Sequence, residues 1–141
     1  MADQYVNLRP GLNNVGNYQV SGIPFVTGTL TVPANSETPL EITFPSITQK
    51  IQIHNNFGSD KPIRVGFSAN GVKGKNYWLI EAHQANGKSA DRLEMRVKTD
   101  KIYLLSDDNT AVTSSVYILA ELTGITGYDL ATAYSGAAGI G

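Results

Sequence analysis

The amino-acid sequence predicts an all-β fold, a single antiparallel β-sandwich, and three observations carry that prediction. Between residues 24 and 123, short segments alternate apolar and polar side chains with a period of two, as strands with one wet face do. Turn-forming residues, among them Pro33, Pro45 and the pairs Asn70-Gly71 and Asn86-Gly87, separate the segments at roughly 8–12-residue spacing. No stretch carries a convincing 3.6-residue apolar period, so no helix is expected.

The first segment, residues 25–32, sets Val26, Leu30 and Val32 on one side against Thr27, Thr29 and Thr31 on the other. In the second, Leu40, Ile42 and Phe44 alternate with Glu41 and Thr43. Residues 47–55 place Ile47, Ile51 and Ile53 inward and Thr48, Lys50, Gln52 and His54 outward; residues 63–68 place Ile63, Val65 and Phe67 inward. The two Asn-Gly pairs supply the positive φ angles of tight hairpin turns. They bracket Tyr77-Trp78-Leu79-Ile80, apolar on both faces and expected to form a fully covered strand. Leu93, Met95 and Val97 then alternate with Arg92, Glu94, Arg96 and Lys98, the clearest solvated face of the chain. Residues 101–106 and 114–123 complete about eight strands, the last with Val116, Ile118, Ala120 and Leu122 on one face. Alternation carries no strand order, so a jelly roll and an open barrel both satisfy the pattern.

Three regions follow. Residues 24–123 form the sandwich body; residues 1–23 read as an N-terminal arm, with Pro10-Gly11, Asn13-Asn14 and Gly16-Asn17 breaking any period; residues 124–141 read as a tail of Gly, Ala, Thr and Ser. Tyr5, Val6, Leu8, Tyr128, Leu130, Tyr134 and Ile140 stand out in these arms as isolated large side chains, candidate hooks for a neighbouring surface. Covering such hooks offsets the entropy of ordering a flexible segment. Fully extended, the tail reaches roughly 60 Å, enough to cross a neighbouring subunit.

Composition narrows the function. A chain of 141 residues suffices for one domain with its own core. Charged residues make up 16%, below the roughly 25% of an average soluble protein, so fewer charges oppose close contact with a partner. The formal net charge of −1 gives no field to steer towards nucleic acid or an anionic membrane. With no cysteine, disulfides and thiolate metal sites are excluded. Residues 1–4 do not begin a secretory signal, and no apolar run approaches the roughly 18 residues of a spanning helix, so synthesis in the cytoplasm is expected.

Chemistry-bearing motifs are sparse. The two histidines, His54 and His83, lie far apart in sequence and match no metal-ligand spacing; both are expected to be ordinary surface residues, with no metal or cofactor, the alternative being a site completed by carboxylates in three dimensions. Asp107-Asp108-Asn109 lacks the spaced ligands of a calcium loop and reads as a solvated turn. No Gly-x-Ser-x-Gly elbow is present, and Glu41, Glu81, Glu94 and Glu121 read as solvating charges rather than a glycosidase pair. The chain is therefore expected not to be an enzyme. Residues 71–78 combine Lys73, Lys75, Tyr77 and Trp78. They are expected to form a hairpin loop leading into a core strand, with sugar or base stacking and contact with acidic patches of a neighbour as the functional alternatives.

Ile63-Arg64-Val65-Gly66-Phe67-Ser68, Gly71-Val72-Lys73-Gly74 and Ala120-Glu121-Leu122-Thr123-Gly124-Ile125 together resemble the small β-sandwich virion structural proteins of tailed bacteriophages. The likeness spans roughly the central hundred residues and is one of style, without a diagnostic motif. It implies a capsid decoration or cement protein on the virion surface, often a trimer, whose partners are the major capsid protein, other virion proteins and sister subunits. Weak hooks would then act together, each becoming effectively intramolecular once the body has docked. The alternative is a carbohydrate-binding module of a tail fibre or adhesin, using Trp78, Tyr77 and Tyr103.

Overall fold

In the computed structural model, residues 22–83 and 91–125 are described. They form two four-stranded antiparallel sheets facing each other, the predicted all-β sandwich. The strands are β1 (Ile23–Val32), β2 (Leu40–Thr43), β3 (Thr48–Asn55), β4 (Ile63–Gly66), β5 (Trp78–Ile80), β6 (Arg92–Met95), β7 (Lys101–Ser106) and β8 (Val112–Leu122), with one short helix, α1 (Ala69–Lys73). One sheet has the order β1-β8-β3-β6, the other β2-β7-β4-β5. The pairings are nested: β1 with β8, β2 with β7, β3 with β6 and β4 with β5, all antiparallel. Strands β8 and β7 then join these pairs sideways, through β3 and β4.

Between the sheets lies an aliphatic core. Ile51, Ile53, Val116, Ile118, Ala120 and Leu122 of the first sheet meet Ile63, Val65, Ile80, Ile102 and Leu104 of the second. Ile51, Ile53, Ile63, Val65, Val116, Ile118, Ala120 and Leu122 lie on the side that their sequence alternation groups together, Ile80 lies within the apolar run, and Ile102 and Leu104 join them from a segment for which alternation assigned no face. Burying an aliphatic side chain of this size contributes about 1.5–3 kcal/mol, so this interior outweighs every polar contact on the surface.

Four local readings are corrected. Between the pairs Thr27↔Ile118 and Leu30↔Val116, β1 advances three residues while β8 advances two, so Gly28-Thr29 is a bulge. One extra residue inverts the faces. Val26 therefore points out and is 72% exposed, whereas Phe25 turns inward and meets Phe44 edge-on at 5.1 Å. Thr29 takes φ 52°, a region costly for a β-branched residue. A Cβ on Gly28 would come within 2.7 Å of the Tyr117 ring, so any larger residue there would have to push that ring aside. A second slip, between Thr48 and Lys50, turns Thr48 inward. It is fully buried, and its hydroxyl donates to the Val97 carbonyl at 2.7 Å.

The pair Asn70-Gly71 makes no hairpin turn but lies inside α1, because the Ser68 hydroxyl caps the helix by accepting from the Gly71 N–H at 2.9 Å. Finally, the Tyr77–Ile80 run is not a covered strand. β5 pairs only with β4 and is an edge; Ile80 is buried, but Trp78 is 66% exposed.

The two outer faces differ. On the β2-β7-β4-β5 sheet, α1 packs against β4 and β7 with Val72 buried. There Arg64 donates to Asp107 Oδ1 at 2.7 Å and to the Val72 carbonyl at 3.2 Å, and stacks 4.4 Å above the Tyr77 ring. On the β1-β8-β3-β6 sheet, no described element covers the outer face. Both margins of the described chain meet at one end of this sheet. Ile23 pairs with Leu122, and beyond β8 the Thr123 N–H donates to the Ile47 carbonyl while the Ile47 N–H donates to that of buried Ile125, both at 2.8 Å.

Candidate functional site

The outer face of the β1-β8-β3-β6 sheet carries two adjoining features. The register sets Val26, Leu119, Gln52 and Glu94 in one row across the four strands, and Tyr117, His54 and Arg92 in the next. Together they line an open groove of about 420 Å³. Its floor is unusually apolar for a solvent face, since Val26, Tyr117 and Leu119 are all exposed. Its rim is charged: Lys50 pairs with Glu94 at 2.8 Å, and Gln52 donates to the same carboxylate at 3.2 Å.

At the His54 end of the groove is a polar cluster. Asp91 Oδ2 accepts from His54 Nε2 at 3.1 Å and from His83 Nδ1 at 2.6 Å. The two imidazoles stand nearly perpendicular with centroids 6.0 Å apart, and the Tyr117 ring lies 6.5 Å from that of His54. The bond donated by His83, seconded by that from His54, holds the Asp91 carboxyl below the ordinary aspartate range despite its partial desolvation.

Backbone geometry assembles the cluster. His54 projects outward from β3, opposite Arg92 of β6 and Tyr117 of β8. Its neighbour Asn55 clamps the other two residues: the Asn55 N–H donates to the Asp91 carbonyl at 2.8 Å, and the Asn55 carbonyl accepts from the His83 N–H at 3.0 Å. The Asn55 side chain in turn donates to the Lys61 carbonyl at 3.0 Å. His83 and Asp91, which flank residues 84–90 in the chain, are thus both anchored to the end of β3.

The sequence reading set His54 and His83 apart as unrelated surface residues and did not single out Asp91. The structure joins all three. No local spacing signals the association, because it depends on where the β5–β6 connection begins and ends in space. The predicted hooks Tyr5, Val6, Leu8, Tyr128, Leu130, Tyr134 and Ile140 lie outside the described residues, as does the Asn86-Gly87 turn.

The aromatic trio proposed for sugar stacking does not share one face. Trp78 pairs with buried Val65, on the core side of its edge strand. Tyr103 lies between inward-facing Ile102 and Leu104 and so faces outward, and Tyr77 is engaged by Arg64. The Asp107–Asn109 turn uses its carboxylates locally, Asp107 on Arg64 and Asp108 on the Asn109 N–H at 2.7 Å. Comparison of the chain with protein-family models, with curated proteins and with solved structures finds no match.

Proposed function

We propose that this chain is a virion structural protein, a jelly-roll subunit of the decoration or cement kind that sits on a capsid and binds neighbouring capsid subunits. The nested strand pairing carries this reading. A long antiparallel hairpin rolled up on itself pairs first strand with last, second with seventh, third with sixth and fourth with fifth, the order found here. We read that order as a jelly roll, an architecture used by capsid, lectin and cupin domains.

Features of the molecule favour the first of those three uses. A cupin-type site needs room between the sheets, but among the described residues that space is filled by aliphatic side chains. A lectin-type platform needs aromatic faces that converge, and Trp78 and Tyr103 face opposite ways. The β1-β8-β3-β6 sheet, by contrast, offers an uncovered outer face with an exposed apolar patch of Val26, Tyr117 and Leu119 suited to a neighbouring capsid subunit, and residues 1–21 and 126–141 adjoin the described chain at one end of that same sheet. Their hooks, Tyr5 to Leu8 and Tyr128 to Ile140, would extend the contact begun by the body, and loss of either arm would show as faster dissociation.

The test is compositional. Quantitative mass spectrometry of density-purified particles from infected cells making this protein should find it in fixed ratio to the major capsid protein. Recovery only in the particle-free fraction overturns the proposal. A truncated chain lacking residues 126–141 should re-bind depleted particles but wash off faster than the full chain. The exposed indole of Trp78 sustains a second reading, a carbohydrate-binding module of a tail fibre or adhesin. Glycan-array binding abolished by Trp78→Ala would replace the structural role with that one.

A further inference from the structure

We infer that His54, His83 and Asp91 form a binding site for a single divalent transition-metal ion, best suited to Zn²⁺, which fastens the β5–β6 connection to β3. This inference stands apart from the capsid proposal. Its ligand atoms, His54 Nε2, His83 Nδ1 and Asp91 Oδ2, lie within 4.8 Å of one another. Tetrahedral Zn²⁺ with bonds of about 2.0–2.2 Å sets its ligand atoms roughly 3.3–3.5 Å apart. Asp91 Oδ2 is 3.1 Å and 2.6 Å from the two nitrogens, so the ion would enter by widening the His83–Asp91 contact by under about 1 Å and exchanging both hydrogen bonds for metal bonds.

The donor set selects the metal. Two imidazoles and one carboxylate suit Zn²⁺, Cu²⁺ or Ni²⁺, whereas Mg²⁺ and Ca²⁺ take shells of oxygen. Three protein ligands leave a fourth position for water, and the histidine side chains are open enough to admit it, at 27% and 40% exposure. The frame is built before the ion arrives: His54 sits on a central strand, and the Asn55 backbone fixes the chain at both His83 and Asp91. Little ordering cost therefore remains for binding to meet. A bound ion ties β3 to both ends of the connection that crosses from one sheet to the other, so it stabilises the folded chain by mass action.

Both of the chain's histidines are in this site, which makes the test sharp. Calorimetric titration of the full-length, untagged protein should show one Zn²⁺ bound per chain, with a rise in Tm reversed by EDTA. Asp91→Asn and His83→Gln should each weaken binding at least about tenfold. In the unmutated protein, Zn²⁺ should shift the NMR signals of both imidazole rings together, a readout that needs no variant to fold. Unmoved ring signals at excess Zn²⁺, or full-affinity binding in folded Asp91→Asn protein, would overturn the inference.

Discussion

The two sheets share an interior but have opposite exteriors. On the β2-β7-β4-β5 sheet the outer face is covered where β4 and β7 lie side by side: α1 packs there, and Arg64 is held by Asp107, the Val72 carbonyl and the Tyr77 ring. On the β1-β8-β3-β6 sheet the outer face is open, with Val26, Tyr117 and Leu119 exposed beside the His54, His83 and Asp91 cluster. The same alternating pattern thus produces one face engaged in stability and another left for contact. The outward residues of the first should matter to folding, those of the second to binding.

The largest expected effect lies in the shared interior and sets the scale for both faces. Ile51 and Val116 are fully buried, so Ile51→Asp or Val116→Asp should cost roughly 4 kcal/mol or more, or prevent folding. Gln52→Asp, one residue away on the outer face, should leave a cooperative melt. Denaturant titration of these variants checks the assignment, and a stable Ile51→Asp beside an unfolded Gln52→Asp would reverse the faces.

Next comes the comparison between exteriors. Arg64→Ala removes a mostly shielded cation and leaves Asp107 unpaired, which should cost about 1.5–3 kcal/mol. Val26→Asp, on the open face, should change stability by no more than about 0.5 kcal/mol while lowering retention on particles. If both variants lose the same stability, the contrast between the sheets fails.

The smallest effect is electrostatic. Lys50, by hydrogen bond and then by charge, holds the Glu94 carboxyl below its ordinary 4.5. A carboxylate lowered in the folded state stabilises above its ordinary pKa, and that contribution is lost as pH falls through the folded value. Glu94 is well exposed, so the effect should be slight and weakened by salt. In an NMR titration, Lys50→Ala should move Glu94 up towards 4.5; no movement would remove the pair from the rim.

What was legible in the sequence follows from which forces are local. Val116, Ile118, Ala120 and Leu122 declared the inner face of β8 because the irregularity of that strand, at Ser114, lies before them and residues 116–122 keep their parity. Val26 misled because one extra residue at Gly28-Thr29 inverts everything before it, although a glycine inside a strand, here Gly28, is itself a bulge signal. Thr48 misled for the same reason, since its hydroxyl finds the Val97 carbonyl only across a register slip. Asn70-Gly71 had the residues of a turn, but the Ser68 cap two residues earlier recruited them into α1. Asp91 escaped notice because its value as a partner for two imidazoles arises from the Asn55 clamp, a contact between residues far apart in the chain.

The meeting of the two chain margins has a mechanical consequence. Residues before Ile23 and after Leu122 leave an antiparallel pair at the same end, so tension that draws them apart opens β1 and β8 like a zipper, one rung at a time. A pair loaded from opposite ends would instead resist with all its rungs at once. The knot formed by Ile47, Thr123 and Ile125 lies just outside the first rung. It passes force arriving from the C-terminal side into β3 before the zipper is reached, leaving the start of β1 as the point where the sandwich yields first.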